Sequence, residues 1–299
     1  MNRRNFLAAA AAGVLANAQT PSYPIIDTHI HLFDPTRPQG VPWPPKDDSV
    51  LYQPALPDRY RKIAQPLGIT GAIEIECSPW PEDNQWVLNI AAKDKIIVGT
   101  VGNLEPGKPE FRSQLDRLHR NPLFLGIRYG NLWGRDLSVE IRKPEFVAGL
   151  KALADAGLVL DTANQNTELI SAALRVTDLV PNLRIVIDHL PRYAQPADAN
   201  LRELGKRPQV YAKISEVLRR VDGKVPTDLS FYRPKLDELF GIFGEDRLLF
   251  GSDWPNSDNW ASYAEVLRIV RAYFTAKGPA IAEKYFRKNS LAAYRWQKR

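Results

Sequence analysis

Eight short apolar runs, most followed by an amphipathic stretch of helical period, predict an α/β protein: a closed (β/α)8 TIM barrel with an extra C-terminal helix. Two further observations support it. No glycine-rich phosphate loop follows the first run, as it would in an open doubly wound sheet built for nucleotides. A chain of 299 residues is also an ordinary length for one barrel. Apolar residues at 44% and aromatics at 10% supply a core, and 25% charged residues give an ordinary water-facing surface, which excludes disordered and fibrous classes. No apolar run reaches the roughly 20 residues needed to cross a bilayer. Cys77 is the single cysteine, so an intrachain disulfide, a cysteine-based zinc site and an Fe–S cluster are all excluded.

The elements follow in chain order. Residues 1–18 open with Arg3-Arg4, continue through Asn5-Phe6-Leu7 and a run of alanines, and end in Ala16-Asn17-Ala18. A twin-arginine pair, a short apolar stretch and a small-x-small site read as an export signal rather than an alanine-rich helix. The expectation is a periplasmic protein whose barrel occupies residues 19–299. Loss of the two arginines lowers the net charge from +6 to +4. That is too mild for nucleic acid, and no stripe of Lys or Arg forms. The expected partner is a small molecule, anionic if charge matters, with no membrane span and a homo-oligomer left open.

The strands are expected at 23–29, 70–76, 96–102, 124–128, 158–161, 184–189, 209–214 and 247–251, and helices at 81–95, 109–120, 143–156 and 167–180. Pro81-Glu82-Asp83 and Pro144-Glu145 place proline and acid in a first turn, and Gly157 closes the helix before it. Residues 33–58 carry seven prolines and form a long stiff loop after strand one, while 217–230 form a polar loop after strand seven. Both lie on the βα side, where barrels carry their chemistry. Residues 281–299 are expected to form the extra helix across the barrel.

Asp27-Thr28-His29-Ile30-His31 is the most informative segment. Strand alternation puts Asp27, His29 and His31 on one face, and the apolar parity of Ile26 and Ile30 turns that face towards the barrel axis. Two imidazoles so spaced can hold one divalent ion or donate to one anionic oxygen. His189 shares parity with Ile185 and Ile187 and is expected to point inward, with Asp188 on the other side. Asp253 shares a face with Leu249 and Gly251 at the end of strand eight. His29, His31, His189 and Asp253 are therefore the candidate catalytic set, and His29, His31 and Asp253 the candidate metal ligands. Glu76, Arg128 and Asp161 end strands two, four and five and face the same cavity, either touching substrate or bracing the mouth as an ion network. Arg128 could hold a carboxylate through its planar fork. Lys213 and Ser215 can take either face. Trp43, Trp80, Trp133 and Trp254 all fall in βα loops, where flat apolar faces suit stacking on a ring. Trp254, next to Asp253, joins the candidate substrate contacts.

These motifs, Ile26-Asp-Thr-His-Ile-His-Leu-Phe33, Gly126-Ile-Arg128, Ile187-Asp-His-Leu190 and Leu249-Phe-Gly-Ser-Asp-Trp-Pro255, resemble the amidohydrolase superfamily. The likeness is to its amidohydrolase-2 branch of L-fuconolactonase and 2-pyrone-4,6-dicarboxylate lactonase type. The terminal stretch 286–294 is similar as well. The resemblance implies a barrel hydrolase in which His29 and His31 match the strand-one pair, His189 the strand-six histidine and Asp253 the strand-eight aspartate. Asp161 stands where metal-dependent relatives carry a strand-five histidine, and Arg128 where others carry a strand-four lysine. A binuclear site is thereby disfavoured, leaving one zinc or manganese ion, or none. The leading expectation is opening of a lactone ring by water, with Asp253 as general base. The rivals are metal-dependent, non-oxidative decarboxylation of an aromatic acid, and a periplasmic barrel that binds ligand without turnover.

Overall fold

Eight parallel strands lie side by side in chain order: β1 (Ile25–Ile30), β2 (Ile69–Ile75), β3 (Ile97–Gly102), β4 (Phe124–Arg128), β5 (Val159–Asp161), β6 (Arg184–Leu190), β7 (Val210–Ile214) and β8 (Leu248–Phe250). The computed structural model describes residues 23–163, 166–190 and 196–299, so the expected export signal at 1–18 lies outside the described residues. The barrel is drawn shut between β8 and β1 at its upper end. Asp253 N donates to His29 O at 2.9 Å, His31 N to Trp254 O at 2.8 Å, and Thr28 Oγ1 to Phe250 O at 2.7 Å. No described helix is long and apolar enough to cross a membrane.

The helices are α1 (Pro57–Ala64), α2 (Pro81–Lys93), α3 (Phe111–Leu118), α4 (Leu137–Glu140), α5 (Pro144–Asp155), α6 (Thr167–Leu179), α7 (Ala199–Leu204), α8 (Leu229–Phe243), α9 (Tyr263–Ala276), α10 (Pro279–Glu283) and α11 (Asn289–Tyr294). Proline opens α1, α2 and α5, where its fixed φ suits a first turn and its missing N–H is not needed. Side chains of Asn166, Asp198, Asp228 and Ser262 cap α6, α7, α8 and α9.

Two apolar layers result. One lies between strands and helices, and the other fills the barrel with Ile26, Ile73, Ile75, Val98, Val101, Leu125, Val159, Val186 and Leu249. The C-terminal stretch forms the expected extra helix, unbroken from Pro279 to Tyr294 as α10, a π-helical turn (Lys284–Lys288) and α11, and it stops before residues 295–299. Its end seals the floor, where Ala293, Tyr294 and Trp296 join the interior cluster. Arg184 at the start of β6 donates to Ala293 O, and Arg299 donates to Ile97 O at the start of β3.

Two departures from simple alternation, on β1 and β6, position the site. On β1 the register slips between Asp27 and Ile30, which pair with Ala72 and Glu74, so β1 carries one extra residue. Ile26 faces the interior, the parity breaks, and His29 and His31 face inward beyond the bulge. Asp27 therefore does not share their face. It accepts from Tyr60 and Tyr263 on the outer helices α1 and α9 and from the main-chain N–H groups of His29 and Ser252. On β6 a similar slip separates Ile187 from Leu190. Ile185 and Ile187 pack against the helices and Val186 faces inward. Asp188 then points into the barrel, contrary to expectation. His189 reaches the interior by a turn of its backbone to φ 61° rather than by the parity of Ile185 and Ile187.

Candidate active site

The β8–β1 seam places Asp253 beside both histidines of β1. Asp253 Oδ1 lies 3.4 Å from His29 Nε2 and 3.2 Å from His31 Nε2. Asn256 Nδ2 donates to the other carboxylate oxygen at 2.7 Å. Gly251 makes this approach possible: a Cβ there would sit 2.9 Å from His29 Cβ, closer than packed atoms allow. The His189 ring stands 4.5 Å from that of His29, which lies 4.9 Å from His31, so the four expected side chains meet in one cluster.

Arg128 reaches this cluster from β4. Its Nη2 meets His189 Nε2 at 3.2 Å, Nη1 donates to the Glu76 carbonyl at 3.2 Å, and Nε lies 3.1 Å from Asp188 Oδ2. The arginine can only donate, so His189 Nε2 accepts and its Nδ1–H is left for Ser215 Oγ at 3.1 Å. His31 Nδ1 lies 2.8 Å from Ile75 O, which can only accept, so this nitrogen carries a proton.

Below the mouth lies a fully buried ionic layer. Lys213 Nζ is 2.6 Å from Asp161 Oδ2, 3.0 Å from Asp188 Oδ1 and 3.4 Å from His29 Nδ1, and Tyr294 OH donates to Asp161 at 2.8 Å. Burial and the Lys213 charge hold the His29 imidazole well below the usual histidine range, so it is neutral. Burial works to raise Asp188, but Lys213, His29 and Arg128 outweigh it and keep this carboxyl well below its ordinary value. Burial likewise opposes ionisation of Asp253. His189, His31 and His29 outweigh it and hold that carboxyl low, so it is a carboxylate throughout the neutral range.

The cleft above the cluster is lined among others by Trp43, Trp133, Arg128, Glu216 and Asn256. Of the six non-glycine residues with positive φ among the described residues, four line this cleft: Trp133, His189, Glu216 and Asp253. Each such position holds about 1–3 kcal/mol of strain, and such strain concentrates at working sites.

The remaining expected contacts divide. Glu76 accepts from Trp133 Nε1 at 3.1 Å and from Ser78 N at 3.0 Å, bracing the loop that carries Trp133. Asp161 is wholly buried beneath the mouth with Lys213 and Tyr294, away from the cleft wall. Trp254 does not line the cleft. It is fully buried, 5.3 Å from the Tyr60 ring, under the Arg59 guanidinium. Trp43 does belong to the mouth, edge-on to His31 at 5.6 Å. Asp188 was missed because the β6 slip is silent in the hydropathy pattern. Lys213 carried a signal, a lone lysine in the apolar run of β7, although its side was not decided.

A divalent ion fits the donor set. Among the described residues, His29 Nε2 and Asp253 Oδ1 are buried and make no hydrogen bond. His31 is anchored through Nδ1 on a carbonyl, the usual arrangement of a ligating imidazole, leaving Nε2 towards Asp253. His29, His189 and Asp253 each offer an atom within 4.8 Å of the others.

A family model described as amidohydrolase matches residues 26–296. An L-fucono-1,5-lactonase of Burkholderia ambifaria is 28% identical over 243 residues, covering 78% of this chain and 80% of the relative. A second L-fucono-1,5-lactonase, from Burkholderia multivorans, is 25% identical over 264 residues, 83% of this chain and 88% of the relative. Among solved structures, an amidohydrolase of Burkholderia multivorans with bound zinc superimposes with a TM-score of 0.80 at 22% identity, covering 92% of this chain and all of that one.

Proposed function

Because the chain belongs to the amidohydrolase family and is an enzyme of that family, we propose that it hydrolyses the ring of a neutral, hydroxylated lactone. One observation carries this reading: a buried, ionised Asp253 in the cleft lining, with one oxygen held by Asn256 and the other lying between His29 and His31 without a hydrogen bond of its own. Oδ1 takes a proton from a water, the oxygen of that water bonds to the ring carbonyl carbon, and the ring C–O bond then breaks. The proton passes from Asp253 to the departing alkoxide, giving the hydroxy acid. Arg128, whose Nη2 is held by His189, orients the carbonyl and stabilises its oxyanion with an N–H not used in that contact. A divalent ion held at His31 and Asp253 would polarise the carbonyl and acidify a bound water towards a pKa of about 7.

The charge of the mouth supports a neutral sugar lactone over a dicarboxylated ring. The charge of Arg128 is already met by the Asp188 carboxylate at 3.1 Å, and Nε, Nη1 and Nη2 each give one N–H to Thr162 O, Glu76 O and His189. Glu216 at the rim is paired with Arg219, so neither offers a free charge to a second carboxylate. The relatives named as L-fucono-1,5-lactonases point the same way. The twin-arginine pair and Ala16-Asn17-Ala18 support export to the periplasm, which cell fractionation tests.

The test is a panel of aldono-1,5-lactones, with 2-pyrone-4,6-dicarboxylate as comparator, read by proton release. Turnover of the neutral lactones and little of the dicarboxylate is expected. Asp253→Asn should lower kcat by about 100-fold or more, with the far-UV circular dichroism unchanged. Near-normal turnover in that variant rejects Asp253 as the base.

A further inference from the structure

Lys213 is a wholly buried lysine that the reaction scheme above does not use. An ammonium has three protons and no lone pair, so a buried one needs three acceptors. Asp161 Oδ2 takes one at 2.6 Å, and the Asp188 Oδ1 charge faces the ammonium at 3.0 Å. The third acceptor within reach is His29 Nδ1 at 3.4 Å. Asp188 Oδ1 is farther from the same ring nitrogen, at 3.6 Å, and its nearer cation is Lys213 at 3.0 Å. A neutral imidazole carries one proton. If Nδ1 accepts from Lys213, that proton is on Nε2, 3.4 Å from Asp253 Oδ1.

We propose that Lys213 is a positioning residue that fixes the tautomer of His29, so that His29 presents an N–H to Asp253 rather than a bare nitrogen to an ion. The lysine is itself held from below. Tyr294 of α11 donates to Asp161 at 2.8 Å, and the Lys213 ammonium sits 5.5 Å from the centre of the Tyr294 ring. The C-terminal segment that seals the floor thus reaches the reacting carboxylate through a chain of four contacts: Tyr294 to Asp161, Asp161 to Lys213, Lys213 to His29, and His29 to Asp253. An ion at this site is then held through His31 and Asp253 without the His29 ring. The consequence for turnover rests on the lactonase reading; the tautomer does not.

The direct measurement is a long-range ¹H–¹⁵N spectrum of the protein as purified with ¹⁵N-labelled histidine, His29 being assigned against a His29→Gln sample. The expected pattern is a protonated Nε2 and an unprotonated Nδ1. A proton on Nδ1, or an Nε2 shifted by metal ligation, overturns the proposal. In Lys213→Met the His29 proton should move to Nδ1, facing Asp188. With that change kcat should fall about tenfold or more while KM stays within about twofold. An unchanged His29 pattern in that variant also overturns it. Should Lys213→Met fail to fold with two carboxylates stranded, Lys213→Met/Asp161→Asn removes one of them and carries the same readout. If no lactone is turned over but the spectrum is as expected, the functional reading fails and the positioning role stands.

Discussion

Asp253 and Trp254 are adjacent in the chain and face opposite ways. The left-handed backbone at Asp253 turns its carboxylate into the cleft, while the indole of Trp254 goes behind the barrel wall against Tyr60. A loop position after strand eight says that both residues lie near the mouth, but not which side of the wall a large apolar side chain takes. Burial settles it, since the space beneath α1 removes the whole indole from water. Trp254→Ala should therefore act on stability, lowering the unfolding free energy by about 3–5 kcal/mol through lost packing and the cavity left behind. Urea unfolding measures this. A loss below about 1 kcal/mol would show that the indole is not part of the core.

At the scale of elements, most of the barrel was legible. Apolar runs and capped amphipathic stretches placed all eight strands, and the helices at α2, α3, α5 and α6, within two residues of their observed ends. That works because a buried parallel strand and a proline-led helix leave strong local signals. The bulges of β1 and β6 left none, because an extra residue changes register without changing composition. Asp27 was accordingly assigned to the catalytic face and Asp188 to the outer one, and the structure exchanges them. What stabilises the β1 bulge is Asp27 itself, which accepts from His29 N, Ser252 N, Tyr60 and Tyr263 and so ties β1 to β8 and to two helices. Asp27→Ala leaves these donors buried without an acceptor, at about 1–3 kcal/mol each where no water enters. The expected result is a fall in stability of about 3 kcal/mol or more by urea unfolding, together with reduced kcat as the β1–β8 seam loosens. A variant as stable as the parent would mean that the bulge is fixed by something else.

At the scale of the whole molecule, the barrel is apolar near its floor and ionic in its upper half. Lys213 and Arg128 there face Asp161, Asp188 and Asp253. Outside that ionic layer, Glu74 on β2 is buried in a cavity shared with Asp83, Asn84 and Thr100. Burial raises its pKa well above the ordinary value, the charges of Glu76 and Asp83 add to the rise, and Arg128 only partly opposes it. The sign of the effect on stability follows. Between the unfolded pKa of about 4.3 and the higher folded one, the native protein binds more protons than the unfolded chain. Stability therefore falls as pH rises through that window, then stays at the lower level. Each unit separating the two pKa values is about 1.4 kcal/mol. Glu74→Gln keeps the shape and removes the charge. It should match the parent near pH 4 and exceed it in stability at pH 8, in paired urea titrations at the two pH values. Equal stability at pH 8 would mean that Glu74 ionises in the fold as easily as in the open chain, and that the cavity is wet enough to solvate it.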